Sequence, residues 1–241
     1  MSFFFEQTIK ENDELSRKYA KVNQDGLLFL IDLEKQEANE LKDRSSRSDI
    51  LIPRSVYYKS HEYMITSVSE KAFAKSSQLK SIQFSSDSEL RLIEKDAFML
   101  SSIQSLTIPS SLFELNTNRC KATINLTEIK IMPNNQRFKL LDNKCIIAKS
   151  TPESENYDIL VFACRDIESF IKHIAPSAFY YCRKSKQILI PNDSELQTIG
   201  DYAFQFSSIE RLTIPPTVIE ISEEAFSNCA IYSFEIPLIH N

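Results

Sequence analysis

SSIQSLTIP at residues 101–109 recurs as SSIERLTIP at residues 207–215, with seven of nine positions identical. A catalytic site needs a single constellation of side chains, so a duplicated nonapeptide is not typical of one. Stacked structural units, by contrast, are built from copies of the same segment. The pair therefore predicts a repeat architecture.

Two dipeptides recur in phase along the chain. Ile-Pro occurs at residues 52–53, 108–109, 190–191, 214–215 and 236–237. Ala-Phe occurs five times, with the phenylalanines Phe73, Phe98, Phe179, Phe204 and Phe226. Four of the five Ile-Pro prolines follow the preceding Ala-Phe phenylalanine by 11 or 12 residues. This constant phase predicts coils of about 23 residues, within the range of solenoid repeats.

The residues before each Ile-Pro alternate between apolar and polar types. Such alternation predicts a half-buried strand, and the proline ends its ladder because proline lacks an N–H. In LTIP at 106–109 we expect Leu106 and Ile108 to point inward and Ser105 and Thr107 to point outward. Since one coil cannot bury its own apolar side, neighbouring coils must stack, with the Ala-Phe rings filling the core between them.

The remainder of each coil also repeats, as DSELRLIEKDAF at 87–98 and DSELQTIGDYAF at 193–204 show. The combined pattern, L-x-x-L-x-I-P, a short spacer and I-x-x-x-A-F-x-x-C, resembles the BspA-like leucine-rich repeats over residues 27–241. Residues 129–167 are also similar to a segment of surface-antigen BspA-like proteins of parasitic protists. The resemblance implies a leucine-rich-repeat solenoid, β-rich, with stacked parallel strands and short turns or helical segments opposite them. It also implies a role in protein–protein contact or cell adhesion.

The chain departs from a uniform repeat in several places, which predicts four parts. Residues 1–48 form an N-terminal cap, with a helix over 5–21 and a two-stranded hairpin over 26–43. Residues 49–132 and 167–241 are two repeat blocks, the second without an evident cap. Residues 133–166 are an insertion, in which Phe138–Leu141 and Cys145–Ala148 form a hairpin and 158–163 a buried strand. Residues 166–171 lack an Ile-Pro strand end, so one coil is expected to be incomplete.

Composition argues against several classes of function. Gly26 and Gly200 are the only glycines, and phosphate-binding loops need several within a few residues. The net charge is −5 and no block of Lys and Arg occurs, which argues against nucleic-acid binding. The longest apolar run, ILVFAC at 159–164, is far shorter than a membrane span, and no signal peptide is evident.

No catalytic, cofactor or metal site is predicted. His61, His173 and His240 lie singly, and metal binding needs convergent ligands. The five cysteines are an odd number without a CxxC motif, which favours free thiols. The position three after each Ala-Phe phenylalanine is Ser76, Ser101, Cys182, Ser207 or Cys229, so small size is the shared requirement there. Cys182 and Cys229 are therefore expected to be packing residues.

The outward strand positions are the candidate partner-binding surface, and they are Gln83, Thr107, Lys130, Leu189, Thr213 and Glu235. A solvated polar face is the alternative interpretation of the same residues. Two functions stay open: an adhesin-like surface antigen, as the resemblance implies, and a cytosolic interaction scaffold, favoured by the free cysteines and the missing signal peptide. The sequons at Asn125 and Asn192 matter only in the first case. The uncapped strand Phe234–Ile236 further predicts end-to-end self-association.

Overall fold

The fold is known from a computed structural model, which describes residues 18–43, 46–116, 126–141, 145–151, 153–163, 167–183 and 186–235. For residues 40–43 and 234–235 it describes the backbone alone. Nineteen strands lie within these ranges. In the first half of the chain they are β1 Tyr19–Gln24, β2 Leu27–Asp32, β3 Glu37–Asp43, β4 Asp49–Ile52, β5 Ser55–Tyr58, β6 His61–Val68, β7 Ser81–Phe84, β8 Leu92–Ile93, β9 Ser105–Ile108, β10 Glu114–Leu115 and β11 Glu128–Ile131. In the second half they are β12 Phe138–Leu141, β13 Cys145–Ala148, β14 Ile159–Phe162, β15 His173–Ile174, β16 Thr198–Ile199, β17 Arg211–Thr213, β18 Glu220–Ile221 and β19 Ser233–Glu235.

Most coils contribute strands to two kinds of sheet, and neighbouring coils pair in parallel within them. The Ile-Pro sheets are built from the strands near the Ile-Pro dipeptides, with strand order β11-β9-β7-β4 in the first half and β17-β19 in the second. The short-strand sheets run β1-β2-β3-β6-β8-β10, with β5 paired to β6, and β12-β13-β14-β15-β16-β18. The coil strands pair in parallel, as β7 does with β9 and β15 with β16. The predicted solenoid of stacked parallel strands is confirmed.

The inward side of the strands forms the predicted core. Ile52, Ile82 and Ile108 in the first Ile-Pro sheet are 0% exposed. In the short-strand sheets, Ile93, Ile174 and Ile199 are at most 1% exposed. Alternation of buried and exposed residues along β4 and β7 follows the two-residue period of the sequence.

The Ala-Phe segments are turns, and their rings stack between neighbouring coils. Phe73 lies over Phe98 with ring centroids 5.6 Å apart. In the second block, Phe204 lies between Phe179 at 4.8 Å and Phe226 at 5.2 Å. The expected alignment of rings is therefore confirmed within each block.

The same turns are linked along the solenoid by hydrogen bonds. The N–H of Phe73 donates to Ala97 O at 2.8 Å and that of Lys75 to Met99 O at 2.7 Å. The residues two before and two after each Ala-Phe phenylalanine have positive φ, and none of them is glycine: Lys71, Lys75, Asp96, Leu100, Ser177, Tyr181, Tyr202, Phe206, Glu224 and Asn228. A left-handed conformation costs a non-glycine residue roughly 1 kcal/mol. Stacking of the coils must offset that cost in every turn.

Gly200 is required by a close approach between coils. A Cβ atom at this position would lie 2.7 Å from Pro176 N. No real Cβ contact is that short, so the backbones of two coils meet here only because the side chain is missing.

The N-terminal cap is a β-meander. Strands β2 and β3 form the predicted antiparallel hairpin, and β3 then pairs in parallel with β6 of the first coil. The predicted helix over 5–21 lies mostly outside the described residues. It is wrong at Tyr19–Lys21, which belong to β1 and pair with β2. Val22 and Ala20 pack against the first core, so the sheet rather than a helix covers this part of the cap.

The central hairpin is confirmed, and it separates two hydrophobic cores. Strands β12 and β13 are antiparallel, as are β13 and β14. All four residues of β13 are buried. Ile146 and Ala148 belong to the first core, whereas Cys145 and Ile147 belong to the second. The insertion is thus an internal wall with both faces covered.

In the coil after this wall, the sequence predicts an interruption over residues 166–171. Among the described residues between 167 and 172 there is no strand, and Ile167 N donates to Leu189 O at 3.0 Å. The described part of the chain holds no helix with the length and apolar character needed to cross a membrane. The division of the chain at residues 48, 132 and 166 stays a prediction.

Candidate protein-interaction face

The strand face consists of the outward residues of the two Ile-Pro sheets. In the first sheet the register places Asp49, Ser81, Ser105 and Glu128 in one row. A second row contains Leu51 beside Gln83, and Thr107 beside Lys130. Leu51 is 61% exposed, and Gln83 and Lys130 are also exposed. Neighbouring coils therefore place an apolar, an amide and a cationic side chain on one surface.

Thr107 differs from this pattern, because it is only 9% exposed. Its strand β9 is an inner strand, with β7 on one side and β11 on the other. A short side chain on an inner strand is covered more readily than the longer Gln83 or Lys130. The expectation that Thr107 points into open solvent is wrong, and its role in binding stays a prediction.

The second Ile-Pro sheet presents a more apolar surface. Leu189 is 55% exposed, but the prediction that it lies on a strand is wrong, because within the described ranges only the isolated bridge between Gln187 and Arg211 joins its segment to β17. Thr213 is half-buried in register with Glu235. The Glu235 side chain lies outside the described part of the structure. Arg211 Nε donates to the Tyr232 hydroxyl at 3.3 Å, and Tyr232 is 66% exposed. Exposed tyrosine and arginine side chains are enriched among residues that dominate protein–protein binding energy.

Three of these residues were missed by the sequence prediction, namely Leu51, Arg211 and Tyr232. Leu51 stands between Ile50 and Ile52, so alternation alone places it outward. Arg211 has the same parity as Thr213 in β17. Tyr232 precedes β19, and only the folded arrangement brings it to Arg211.

Hydrogen bonds fix one carboxylate at the edge of the face. Asp49 accepts from Ser48 Oγ and from Ser81 Oγ, each at 2.5 Å. These bonds favour the charged form and hold the pKa of Asp49 below its usual value. The first row of the face therefore carries a fixed negative charge where β4 meets β7.

The cysteines of the repeat act as small packing groups. Cys182 is buried, and Cys229 Sγ donates to Phe204 O at 2.6 Å and lies 3.4 Å from Ser207 Oγ. Burial raises the pKa of the Cys229 thiol. Cys145, Cys182 and Cys229 are free thiols, and Cys120 and Cys164 lie outside the described residues.

The histidines and carboxylates do not converge within the described ranges. No group of three or more His, Cys, Asp or Glu side chains there could hold a metal ion. His173 Nδ1 lies 3.0 Å from Thr198 Oγ1 of the next coil, in register across β15 and β16. This contact joins neighbouring coils.

Stacked parallel coils with an outward strand face define a solenoid of the leucine-rich-repeat class. The sequence profile described as "BspA type Leucine rich repeat region" matches six copies in this chain, over residues 54–147 and 164–240. These residues are more than half of the chain. The chain belongs to the BspA-type leucine-rich repeat family. No curated protein matches it.

A solved structure of another protein shows the same fold. The pneumococcal vaccine antigen PcpA is 22% identical with a TM-score of 0.56, over 80% of this chain. The chain spans only 51% of the length of PcpA. A leucine-rich cell surface protein from Faecalibacterium prausnitzii is 13% identical with a TM-score of 0.38, over 90% of this chain and 94% of that one. A leucine-rich-repeat protein from Eubacterium ventriosum is 13% identical with a TM-score of 0.41, over 90% and 85% of the two chains.

Proposed function

We propose that the chain is a non-enzymatic scaffold that binds a partner protein through its strand face, as an adhesin-like surface antigen. The single observation that carries the proposal is the composition of this face. Leu51, Leu189 and Tyr232 are large side chains that are each more than half exposed on or beside it. Solenoids use such continuous surfaces to bind proteins.

The surface location is the finer part of the proposal. It is supported by the BspA-type repeats and by the likeness in fold to PcpA, which is a vaccine antigen. The alternative is a scaffold in the cytosol, which the free thiols favour. Biotinylation of intact cells separates the two: labelled protein supports the surface location, and unlabelled protein supports the cytosolic one.

A photo-crosslinking experiment tests the binding face. A photo-reactive phenylalanine analogue replaces Gln83 in one variant and Thr213 in a second, and the full chain is irradiated with intact native cells. The matched control carries the analogue at Lys71, which is exposed in an Ala-Phe turn and belongs to no strand. We expect the same partner protein from the first two variants and none from the control. Crosslinks from Lys71 alone would move the binding surface to the turns.

A second contact is proposed at the last described coil. Ile221 is 47% exposed, although its register partner Ile199 is 0% exposed. A core position that is open to solvent favours covering by another coil, so we propose self-association of two copies through this end. Of the predicted strand Phe234–Ile236, Phe234 and Glu235 lie in β19, which pairs with β17, and Ile236 is outside the described residues. Light scattering of the wild type and of Ile221→Asp tests it: dimers only in the wild type support the proposal, and monomers in both contradict it.

A further inference from the structure

Neighbouring coils of the short-strand sheets are joined by a constant pattern of hydrogen bonds. Arg91 O accepts from Phe113 N at 3.0 Å and from Glu114 N at 2.9 Å. Ile93 O accepts from Asn116 N at 2.9 Å. Three N–H groups of one coil thus bind two carbonyls of the coil before it.

The second repeat block follows the same pattern. Lys172 O accepts from Gln197 N at 2.8 Å and from Thr198 N at 3.2 Å. Ile174 O accepts from Gly200 N at 2.9 Å. The spacing of the donors is that of a parallel extended segment laid along the edge of a strand.

Strand β10 ends this series in the first block. By position, Phe113 O and Leu115 O correspond to the accepting carbonyls Arg91 O and Ile93 O. Among the described residues, none donates a backbone hydrogen bond to either carbonyl. β10 pairs with β8 alone, and the next short-strand sheet begins with β12 of the central hairpin. Within the described ranges, the outer edge of β10 is therefore a free strand edge.

A groove of about 360 Å³ runs beside this edge. Its lining comes from β10 and from the wall and coil that follow, including Leu115, Ala148, Val161 and Ala175. Ala148 and Val161 are buried, so the base of the groove is apolar. At the rim, Phe113 is 47% exposed, with the Arg137 guanidinium 5.5 Å from its ring.

The groove is not closed by the wall itself. Strand β14, which faces it through Ile159 and Val161, already pairs with β13 on one side and β15 on the other. Strand β12 is the edge strand of this sheet and pairs with β13, and no pairing joins it to β10 among the described strands. An occupant must bring its own backbone donors.

We propose that the free edge of β10 binds an extended segment of a partner protein, which adds as a parallel strand and buries an aliphatic side chain in the groove. The short strands of the coils indicate which side chain such a segment needs. The two-residue strands that follow another coil in these sheets are Leu92-Ile93, Glu114-Leu115, His173-Ile174, Thr198-Ile199 and Glu220-Ile221. The second residue is always Ile or Leu. A partner segment with isoleucine or leucine at this second position would donate its N–H groups to the carbonyls of β10. The same segment would bury that side chain against the apolar base of the groove.

This inference rests on the proposed function as a protein-binding scaffold, but it uses a surface separate from the strand face. The two proposals can fail independently. Crosslinking through Thr213 tests the strand face, whereas a direct peptide titration tests the groove.

The probe is a fluorescein-labelled peptide, ELQTIGD, which reproduces residues 195–201 of a natural coil. It is titrated against the full chain by fluorescence anisotropy. The matched control is the same peptide with N-methyl groups on the amides that correspond to Gln197, Thr198 and Gly200. It keeps every side chain and loses the three donors. We expect the methylated peptide to bind at least about tenfold more weakly, a loss of about 1.4 kcal/mol.

Two protein variants locate the site. Phe113→Ala removes the rim and should weaken binding, while Leu100→Ala removes an equally exposed apolar side chain elsewhere and should not. Equal affinity of both peptides, no binding of the parent peptide up to millimolar concentration, or equal effects of the two variants would overturn the proposal. A dimer of the chain that the peptide dissociates would assign the edge to a second copy, and would overturn it as well.

Discussion

The ring of Phe204 stacks on that of Phe179, with centroids 4.8 Å apart and ring planes inclined by 11°. The backbones of the two coils are joined at the same place, because Phe179 N donates to Ala203 O at 2.8 Å. Both phenylalanines are 0% exposed. One relationship thus combines the side-chain packing and the backbone ladder that hold neighbouring coils together.

Replacing the middle ring should destabilise the second block strongly. Phe204→Ala removes contacts with two rings and leaves a cavity, so we expect the free energy of unfolding to fall by about 3–5 kcal/mol. Urea denaturation followed by circular dichroism measures the change. Phe170→Ala is the control, since Phe170 is 42% exposed and should cost far less. Equal losses in the two variants would contradict the burial of Phe204.

The left-handed turn positions predict a contrast between adjacent residues. Lys75 has φ of 62° and is exposed, whereas Ala74 is not among the residues of positive φ. Lys75→Gly removes the left-handed penalty, so stability should stay the same or rise by less than about 1 kcal/mol. Ala74→Gly gains no such relief and should lower stability by about 0.5–1 kcal/mol. Thermal melts of both variants test this, and equal destabilisation of the two would argue against the left-handed turn.

Asn135 joins the central insertion to the coil before it. Its Nδ2 donates to Pro109 O at 2.8 Å and to Leu112 O at 3.1 Å, while its Oδ1 accepts from Phe138 N at 2.7 Å. Asn135→Asp keeps the acceptor oxygen, but it replaces the Nδ2 donor with a second carboxylate oxygen. That oxygen would face the carbonyls of Pro109 and Leu112, which also cannot donate.

We expect Asn135→Asp to lower the free energy of unfolding by about 1–3 kcal/mol at pH 7. Asn134→Asp is the control, because Asn134 is exposed and aspartate tolerates its φ of 66°. Equal urea midpoints for the two variants would show that the side-chain hydrogen bonds of Asn135 contribute nothing to the stability of the fold.

Cys229 should react slowly with thiol reagents. Burial raises its pKa, so less thiolate is present at a given pH, and the thiolate is the nucleophile. Alkylation with iodoacetamide at pH 8, followed by peptide mass spectrometry, should show Cys229 modified far more slowly in the native chain than in urea. Equal rates in the two conditions would place the thiol in open solvent.

The coil geometry could be predicted because its signals are local. Strand alternation around Ile108 and the Ala-Phe phase each lie within one repeat, and stacking then fixes the inward residues. The role of the insertion could not be predicted in this way. Alternation cannot tell which core receives Ile146 and which receives Ile147, because a strand with two apolar faces reads as a continuous apolar run.

The strand face could also be predicted only in part from local sequence patterns. The alternation predicted outward positions for Gln83 and Lys130, and both are exposed. Thr107 has the same parity but is covered, because its side chain is short and β9 lies between two other strands. The pairing of Arg211 with Tyr232 depends on two segments that meet only after folding. Among the described strands, β10 pairs with β8 alone and the next short-strand sheet begins with β12, and no local sequence pattern encodes this change.

A double-mutant cycle on Phe179 and Phe204 is the most direct test of stacked coils with rings in shared cores. The variants are Phe179→Leu, Phe204→Leu and their combination, with Phe98→Leu and Phe204→Leu as the control pair, since Phe98 belongs to the other core. Stacking in a shared core predicts a coupling energy of about 0.5–1.5 kcal/mol for Phe179 and Phe204 and additivity for the control pair. Additive effects in both pairs would contradict it.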